Sequence, residues 1–212
     1  GLILSTAGKL QLQINPVQLE QLEFLQQELV RWNRKINLTA ITKPDQITIK
    51  HLIDSLQLVP LLYDAENLLD VGSGAGFPGL VLAILRQDCK VSSIDSVGKK
   101  ISFQKHILRS LKLDNFTAIN GRAEELAEVE PGAFSLVVSR AFSSLEKFVV
   151  LALPLLADGG RIISMRGSSG VAELNQLTPK LLSLGLQPEQ TIKYQLPGQS
   201  GDRTLVILRK IA

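Results

Sequence analysis

The sequence predicts an α/β fold: a mostly parallel seven-stranded sheet with helices on both faces, an antiparallel last strand and a small helical segment in front. Three observations carry this. From residue 67 onward, short runs rich in branched and apolar residues alternate with helix-length segments. That order calls for a parallel sheet with crossover helices on both faces. The last two runs are separated only by Pro197-Gly198-Gln199-Ser200-Gly201-Asp202, a connection short enough to allow nothing but a hairpin. The first sixty or so residues instead carry apolar residues at helical spacing. The chain therefore divides into a helical segment, residues 1–62, packed on an α/β domain, residues 63–212.

Taken in order, Asn15 followed by Pro16 is a helix start, with a side-chain cap and a proline at the first helical position. Leu22, Leu25, Leu29 and Trp32 then form one apolar stripe, with Trp32 as a core anchor. Asn33 to Lys43 reads as a loop. A second helix starts at Thr42, Pro44 and Asp45 and places Leu52, Ile53, Leu56 and Val59 on one face. Strands are predicted at 67–71, 90–95, 116–120, 134–139, 161–165, 191–195 and 203–208. Helices are predicted near 78–86, 98–111, 122–128, 143–156 and 171–184. No internal repeat appears.

Composition narrows the class. The 212 residues are 45% hydrophobic and 20% charged, values of a folded globular protein rather than a disordered or fibrous one. A single cysteine, Cys89, excludes a disulfide framework and a Cys-rich zinc site, and two histidines argue against a His-based metal site. The apolar run from Phe148 to Ala157 is interrupted by Pro154 and is too short to span a bilayer. The opening GLILSTAGKL lacks a basic flank ahead of an apolar stretch, so no secretion signal is expected and the protein is expected to be cytoplasmic. A start at Gly1 rather than Met is expected to reflect trimming or engineering.

The net charge is only +3, from 23 Lys+Arg and 20 Asp+Glu, but its distribution is uneven. Lys99, Lys100, Lys105, Arg109 and Lys112 fall in a stretch without a carboxylate, and Arg31, Arg34 and Lys35 form a second cluster. A short charge run is usually a solvated helix face. Two such clusters flanking one site point to a phosphate-rich partner.

The strongest local signal is Asp70-Val71-Gly72-Ser73-Gly74-Ala75-Gly76-Phe77-Pro78-Gly79, straight after the first strand. Glycines there allow a tight turn and a close approach of backbone to ligand. Asp95, at the end of the second strand, stands where a carboxylate can bind ribose hydroxyls. Gly74-x-Gly76-x-x-Gly79 satisfies the dinucleotide fingerprint, so a nicotinamide-dependent oxidoreductase is one reading. Against it, Asp70 precedes the glycines and suits a cationic or amine-bearing ligand better than a pyrophosphate. Glu124, in Gly121-Arg122-Ala123-Glu124 after the third strand, is placed to reach an adenine amine, and the closing hairpin leaves no second nucleotide-binding half. This constellation resembles the Rossmann-like class I S-adenosylmethionine-dependent methyltransferase fold.

Further motifs make the resemblance specific. They are Trp32-Asn33-Arg34-Lys35-Ile36-Asn37-Leu38-Thr39, His51-Leu52-Ile53-Asp54-Ser55-Leu56, Gly121-Arg122-Ala123-Glu124 and Val138-Ser139-Arg140-Ala141. With the Gly-Phe-Pro loop and Asp95-Ser96 through Lys99-Lys100, the chain resembles the bacterial glucose-inhibited division protein B family, the guanine-N7 methyltransferases of 16S ribosomal RNA. The resemblance spans about residues 16–210. It implies S-adenosylmethionine contacts at Gly72, Phe77, Ala123, Glu124 and Arg140, and a target guanine in a structured loop of the decoding region. Where family members often have lysine before glycine near the fifth strand, this chain has Arg166-Gly167. Arginine keeps the charge as a planar fork.

The residue inventory suits ring-nitrogen methylation. Cys89 lies at the sheet end away from the glycine loop, so it is no nucleophile for a pyrimidine carbon. The segment after the fourth strand, Ser139-Arg140-Ala141-Phe142, lacks the Asn/Asp-Pro-Pro-aromatic element of exocyclic-amine enzymes. Guanine N7 carries an in-plane lone pair and needs no general base, so positioning carries the catalysis. Arg140 is expected to pair with the methionine carboxylate or a phosphate, and Phe142 or Phe77 to stack on the target base. His51, Asp54 and Ser55 share one helical turn, which cannot present a nucleophile, base and orienter around one reacting atom. They read as a local hydrogen-bond cluster, or, by the resemblance, as a wall of the guanine pocket. Asn33 and Asn37 are expected to touch base edges or backbone. Lys105, Arg109 and Lys112 are placed on one helix face to meet RNA phosphates, joined by Arg166 and the two basic clusters. The expected partner is 16S rRNA or the small ribosomal subunit, with the protein a monomer and no membrane or metal involved. A ribosome-assembly binding protein without turnover is the other alternative.

Overall fold

The computed structural model describes residues 1–140, 142–198 and 201–211; Ala141 of the Ser-Arg-Ala motif, and Gln199 and Ser200 of the hairpin turn, lie outside them. The first helices are α1 (Leu2–Lys9) and α2 (Pro16–Ile36). Asn15 and Gln18 cap α2 reciprocally: the Asn15 side chain accepts from Gln18 N at 2.9 Å and Asn15 N donates to Gln18 Oε1 at 3.1 Å. The helix runs four residues beyond the expected start of the loop and stops at Asn37, which caps it in the left-handed region at φ 45°. The reason is packing. Trp32 meets the Phe103 ring edge-on at 5.6 Å and lies against His106 at 5.0 Å, so the last turn continues the buried stripe of Leu22, Leu25 and Leu29.

The second helical stretch starts at Pro44, not Thr42. It passes from α3 (Pro44–Ile47) through a π-helical stretch (Thr48–Ile53) into α4 (Asp54–Leu56). Leu52, Ile53 and Leu56 are fully buried, while Val59 belongs to a separate 3₁₀ turn, Val59–Leu61.

Seven strands follow: β1 (Asn67–Val71), β2 (Lys90–Asp95), β3 (Phe116–Asn120), β4 (Phe134–Ser139), β5 (Leu156–Arg166), β6 (Leu186–Gln195) and β7 (Asp202–Lys210). The helices between and after them are α5 (Gly79–Leu85), α6 (Gly98–Leu111), α7 (Ala123–Val129), α8 (Leu145–Ala152) and α9 (Gly170–Ser183). The strands order as β3-β2-β1-β4-β5-β7-β6, parallel except for β7, which runs antiparallel to β5 and β6. The expected architecture stands. The largest boundary shifts are three, and two are linked: α8 ends at Ala152 and a 3₁₀ turn Leu153–Leu155 leads into β5, five residues earlier than expected. Pro154 has no amide to continue an α-helix. The other early start is β6, whose first half is exposed and gives no alternation to read.

Side chains alternate between two cores. Leu136, Val138 and Ile163 point into one with α2, α5 and α6; Val137 and Ile162 point into the other with α7, α8 and α9. Cys89 is buried in the first. No helix among the described residues is long and apolar enough to cross a membrane. The order reverses between β1 and β4, and a crevice opens at the carboxyl ends of parallel strands at such a point.

Candidate active site

The loop after β1 is held by polar groups beneath it. Gly76 has φ +93°, and a Cβ there would lie 2.5 Å from Leu80 Cδ1, so only glycine fits. Asp70 is fully buried; its Oδ2 accepts the Gly79 amide at 2.8 Å and its Oδ1 has no partner. Burial pushes its carboxyl up to about 7, against the Gly79 hydrogen bond and Arg140. From α6, Gln104 is also fully buried and donates to Ser73 Oγ (2.9 Å) and the Gly74 carbonyl (2.8 Å), while accepting from Ser93 Oγ. Sequence reading missed Gln104, whose only signal is a polar residue on the apolar face of a helix. Asp95 accepts from Gly74 N and Val97 N, both at 2.9 Å, and Lys100 Nζ stands 3.5 Å from its Oδ2.

Beside this loop, a cleft of about 210 Å³ opens over the carboxyl ends of β1, β2 and β3. Gly72, Asp95, Ser96, Ala123 and Glu124, expected from the sequence to be cofactor residues, line it; Ile94, Arg122 and Leu151, which the sequence did not single out as such, line it too. Asp70, Gly74, Gly76 and Phe77 do not line it. Asp70 supports the loop from beneath, through the Gly79 amide. Phe142, expected at the target base, lines this cleft instead, stacked on Phe148 at 5.3 Å. Phe77 is 2% exposed and stacked on His51 at 4.8 Å, which leaves it no free face for a base.

A second cleft, of about 320 Å³, lies over the ends of β4 and β5 and is walled by the N-terminal helical segment. Here the structure brings together His51, Asp54 and Arg140. Arg140 donates to the Lys50 carbonyl at 2.7 Å, stands 3.7 Å from Asp54 Oδ2, and has its guanidinium carbon 5.9 Å from the Phe77 ring centre. Tyr194, from β6, donates its hydroxyl to Asp54 Oδ1 at 2.7 Å. Burial pushes the Asp54 carboxyl up, opposed by that hydroxyl and by Arg140. Burial, then Arg140, pushes the His51 imidazole down to about 3, so it is neutral at physiological pH. Its Nε2 meets Thr39 Oγ1 at 3.1 Å and its Nδ1 has no partner. Ser55 bonds only its own turn, donating to the His51 carbonyl at 2.6 Å, as a local cluster would.

Several residues expected to touch RNA make contacts within the fold. Asn33 is buried, donates to the Thr39 carbonyl and accepts from Leu38 N and Thr39 N, so its amide braces the 37–41 turn. Asn37 is exposed at the helix cap. Arg166 is buried, gripping Glu173 at 2.7 and 2.8 Å and the Phe142 carbonyl at 2.6 Å, and it lines the second cleft. Lys100 serves Asp95. Lys112 lies one residue past α6 at φ 53°, off the stripe that Lys105 and Arg109 share. Arg34, Lys35, Lys99, Lys105 and Arg109 are exposed, and exposed Arg31 pairs with Glu28 at 2.7 Å. Glu28 also meets His106 at 2.6 Å, tying α2 to α6.

Comparison with known proteins agrees with this geometry. The chain is 45% identical over 202 residues to the ribosomal RNA small subunit methyltransferase G of Geobacter sp. (strain M21), covering 95% of this chain and 93% of that protein. It is 38% identical to the protein of the same name from Chromohalobacter salexigens, covering 96% and 93%. Among solved structures it resembles M. jannaschii TYW2 in complex with AdoMet (TM-score 0.63, 14% identity, 83% of this chain and 78% of that one). It also resembles a SAM-dependent methyltransferase from Aquifex aeolicus (TM-score 0.61, 14% identity, 80% and 94%). At those identities the structures speak for the fold alone. The family model of GidB, rRNA small subunit methyltransferase G, matches residues 18–205, and the chain belongs to that family.

Proposed function

We propose that the protein transfers the methyl group of S-adenosylmethionine to N7 of a guanine in small-subunit (16S) ribosomal RNA, acting as a cytoplasmic monomer. In this reading residues 1–62 form a segment that closes the substrate side of a methyltransferase domain, residues 63–212. The observation that carries it is the pair of clefts on one sheet edge, one on each side of the β4 end.

The first cleft fits the cofactor. It offers carboxylates at Asp95 and Glu124 to donors such as ribose hydroxyls and an adenine amine, and apolar surface from Ile94, Phe142 and Leu151 to a ring. Arg140 supplies the cation suited to the amino-acid carboxylate. When bound, S-adenosylmethionine supplies an electrophilic methyl on a sulfonium. The chain's task is then positional. Gly74 N and Val97 N keep Asp95 pointing into the cleft, and the second cleft holds the base and excludes water. No general base is needed there: N7 has its own lone pair, and burial, which pushes the His51 imidazole down to about 3, makes it a poor proton acceptor. Holding two reactants in line is worth roughly 7–11 kcal/mol in favourable cases.

The test is transfer of labelled methyl from S-adenosylmethionine to small ribosomal subunits, and to naked 16S rRNA, prepared without this modification. Nucleoside analysis should return 7-methylguanosine. Cofactor binding without transfer to either substrate would favour a ribosome-assembly binding protein instead, and binding of NADH in place of S-adenosylhomocysteine would restore the oxidoreductase reading.

A further inference from the structure

We propose that Asp54 reads the Watson–Crick edge of the target guanine, accepting its N1–H and N2–H donors, and that Tyr194 holds the carboxylate for that task. The inference rests on the second cleft being the target-base site. Asp54 is the one carboxylate lining that cleft among the described residues, in a wall that also carries the cations Lys50, Arg140, Arg166 and Arg203. Its oxygens are oriented yet not used up. Oδ1 takes the Tyr194 hydroxyl at 2.7 Å, and the nearest Arg140 nitrogen stays 3.7 Å from Oδ2 while donating to the Lys50 carbonyl instead. A carboxylate has about four lone-pair sites, so at least two remain for a ligand. His51 lines the same cleft, and its buried Nδ1 has no hydrogen-bond partner.

Chemistry selects the edge. Methylation at N7 requires the imidazole side of the base to face the donor, so recognition is left to the far side. On guanine that side presents two adjacent donors, which a carboxylate accepts together. Adenine presents a lone pair at N1, which the carboxylate repels. Methyl transfer forms the N7–C bond with the nitrogen's lone pair and breaks the donor's S–C bond, whose electrons stay on sulfur. No proton leaves, and the purine becomes cationic. Its N1–H grows more acidic along the way, so the bond to Asp54 strengthens toward the transition state and acts on kcat.

The test uses small-subunit rRNA with inosine in place of the methylated guanosine; inosine keeps N1–H, O6 and N7 and lacks only the N2 amine. Wild-type kcat/KM should fall roughly 10- to 100-fold on inosine. Asp54→Asn should lose about 100-fold or more in kcat on guanosine, bind S-adenosylhomocysteine as wild type does, and bring the guanosine-to-inosine ratio close to one. Tyr194→Phe, which keeps the carboxylate but frees it, should lower that ratio with the fold intact. Equal wild-type transfer to guanosine and inosine, or an Asp54→Asn protein that still discriminates, overturns this inference alone. Absence of wild-type transfer to guanosine overturns the functional reading and the inference together.

Discussion

Asp70 and Asp95 lie on neighbouring strands, yet one is sealed beneath the glycine loop and the other opens onto the cleft. Their difference is testable through pH. The Asp70 carboxyl titrates near 3.8 when free and near 7 in the fold. Between those values the unfolded chain releases a proton that the folded chain keeps, so this group's contribution to stability falls as pH rises from about 4 to 7 and is level above. Asp70→Asn keeps an acceptor for the Gly79 amide and removes the titration. Urea unfolding from pH 4 to 8 should therefore show a flatter profile in the variant and greater stability at neutral pH. Gly76→Ala is the opposite case: with φ +93° and Leu80 2.5 Å from the new Cβ, it should cost ~1–3 kcal/mol in unfolding experiments and weaken S-adenosylhomocysteine binding in calorimetry.

At the scale of elements, the cofactor loop is stabilised from α6, and α6 is anchored to α2. Gln104→Ala removes the donor to Ser73 and Gly74 and leaves Ser93 without its acceptor. It should lower stability by ~2–3 kcal/mol and loosen the loop, read as weaker cofactor affinity by calorimetry and faster amide exchange at Gly74. Sequence periodicity located α6 to the residue, and the apolar stripe located most of α2. Neither could reveal that a glutamine on the inner face reaches under the loop, because its partners come from β2 and the loop after β1. Asn33 shows the same blindness from the other side. Its place in a polar motif suggested RNA, but burial against the 37–41 backbone made it a turn brace.

Across the whole molecule, the Trp32, His106 and Glu28 contacts pack α2 against α6, the two helices that carry the exposed Arg31, Arg34, Lys35, Lys99, Lys105 and Arg109. A Lys105→Glu, Arg109→Glu double variant should raise KM for the small subunit at unchanged cofactor affinity. It should also reduce the slope of log affinity against log salt by about 2 in filter-binding measurements. Arg166→Ala, by contrast, should destabilise the fold and leave that slope unchanged, because Glu173 and the Phe142 carbonyl already occupy its guanidinium. The sequence by itself determined the alternation of strands and helices, the hairpin that reverses β7, the glycine loop, Asp95 and Glu124 as cleft carboxylates, and the family. All of these are written in local spacing, which period and turn chemistry expose directly. Only the tertiary structure decided which side chains face a ligand and which serve the fold. It buried Asp70, Phe77, Asn33 and Arg166, and it carried Asp54 from the N-terminal helices to Tyr194 of β6 and to Arg140, just past β4. Burial and pairing between residues far apart in the chain depend on how whole faces close on one another, and no local pattern records that.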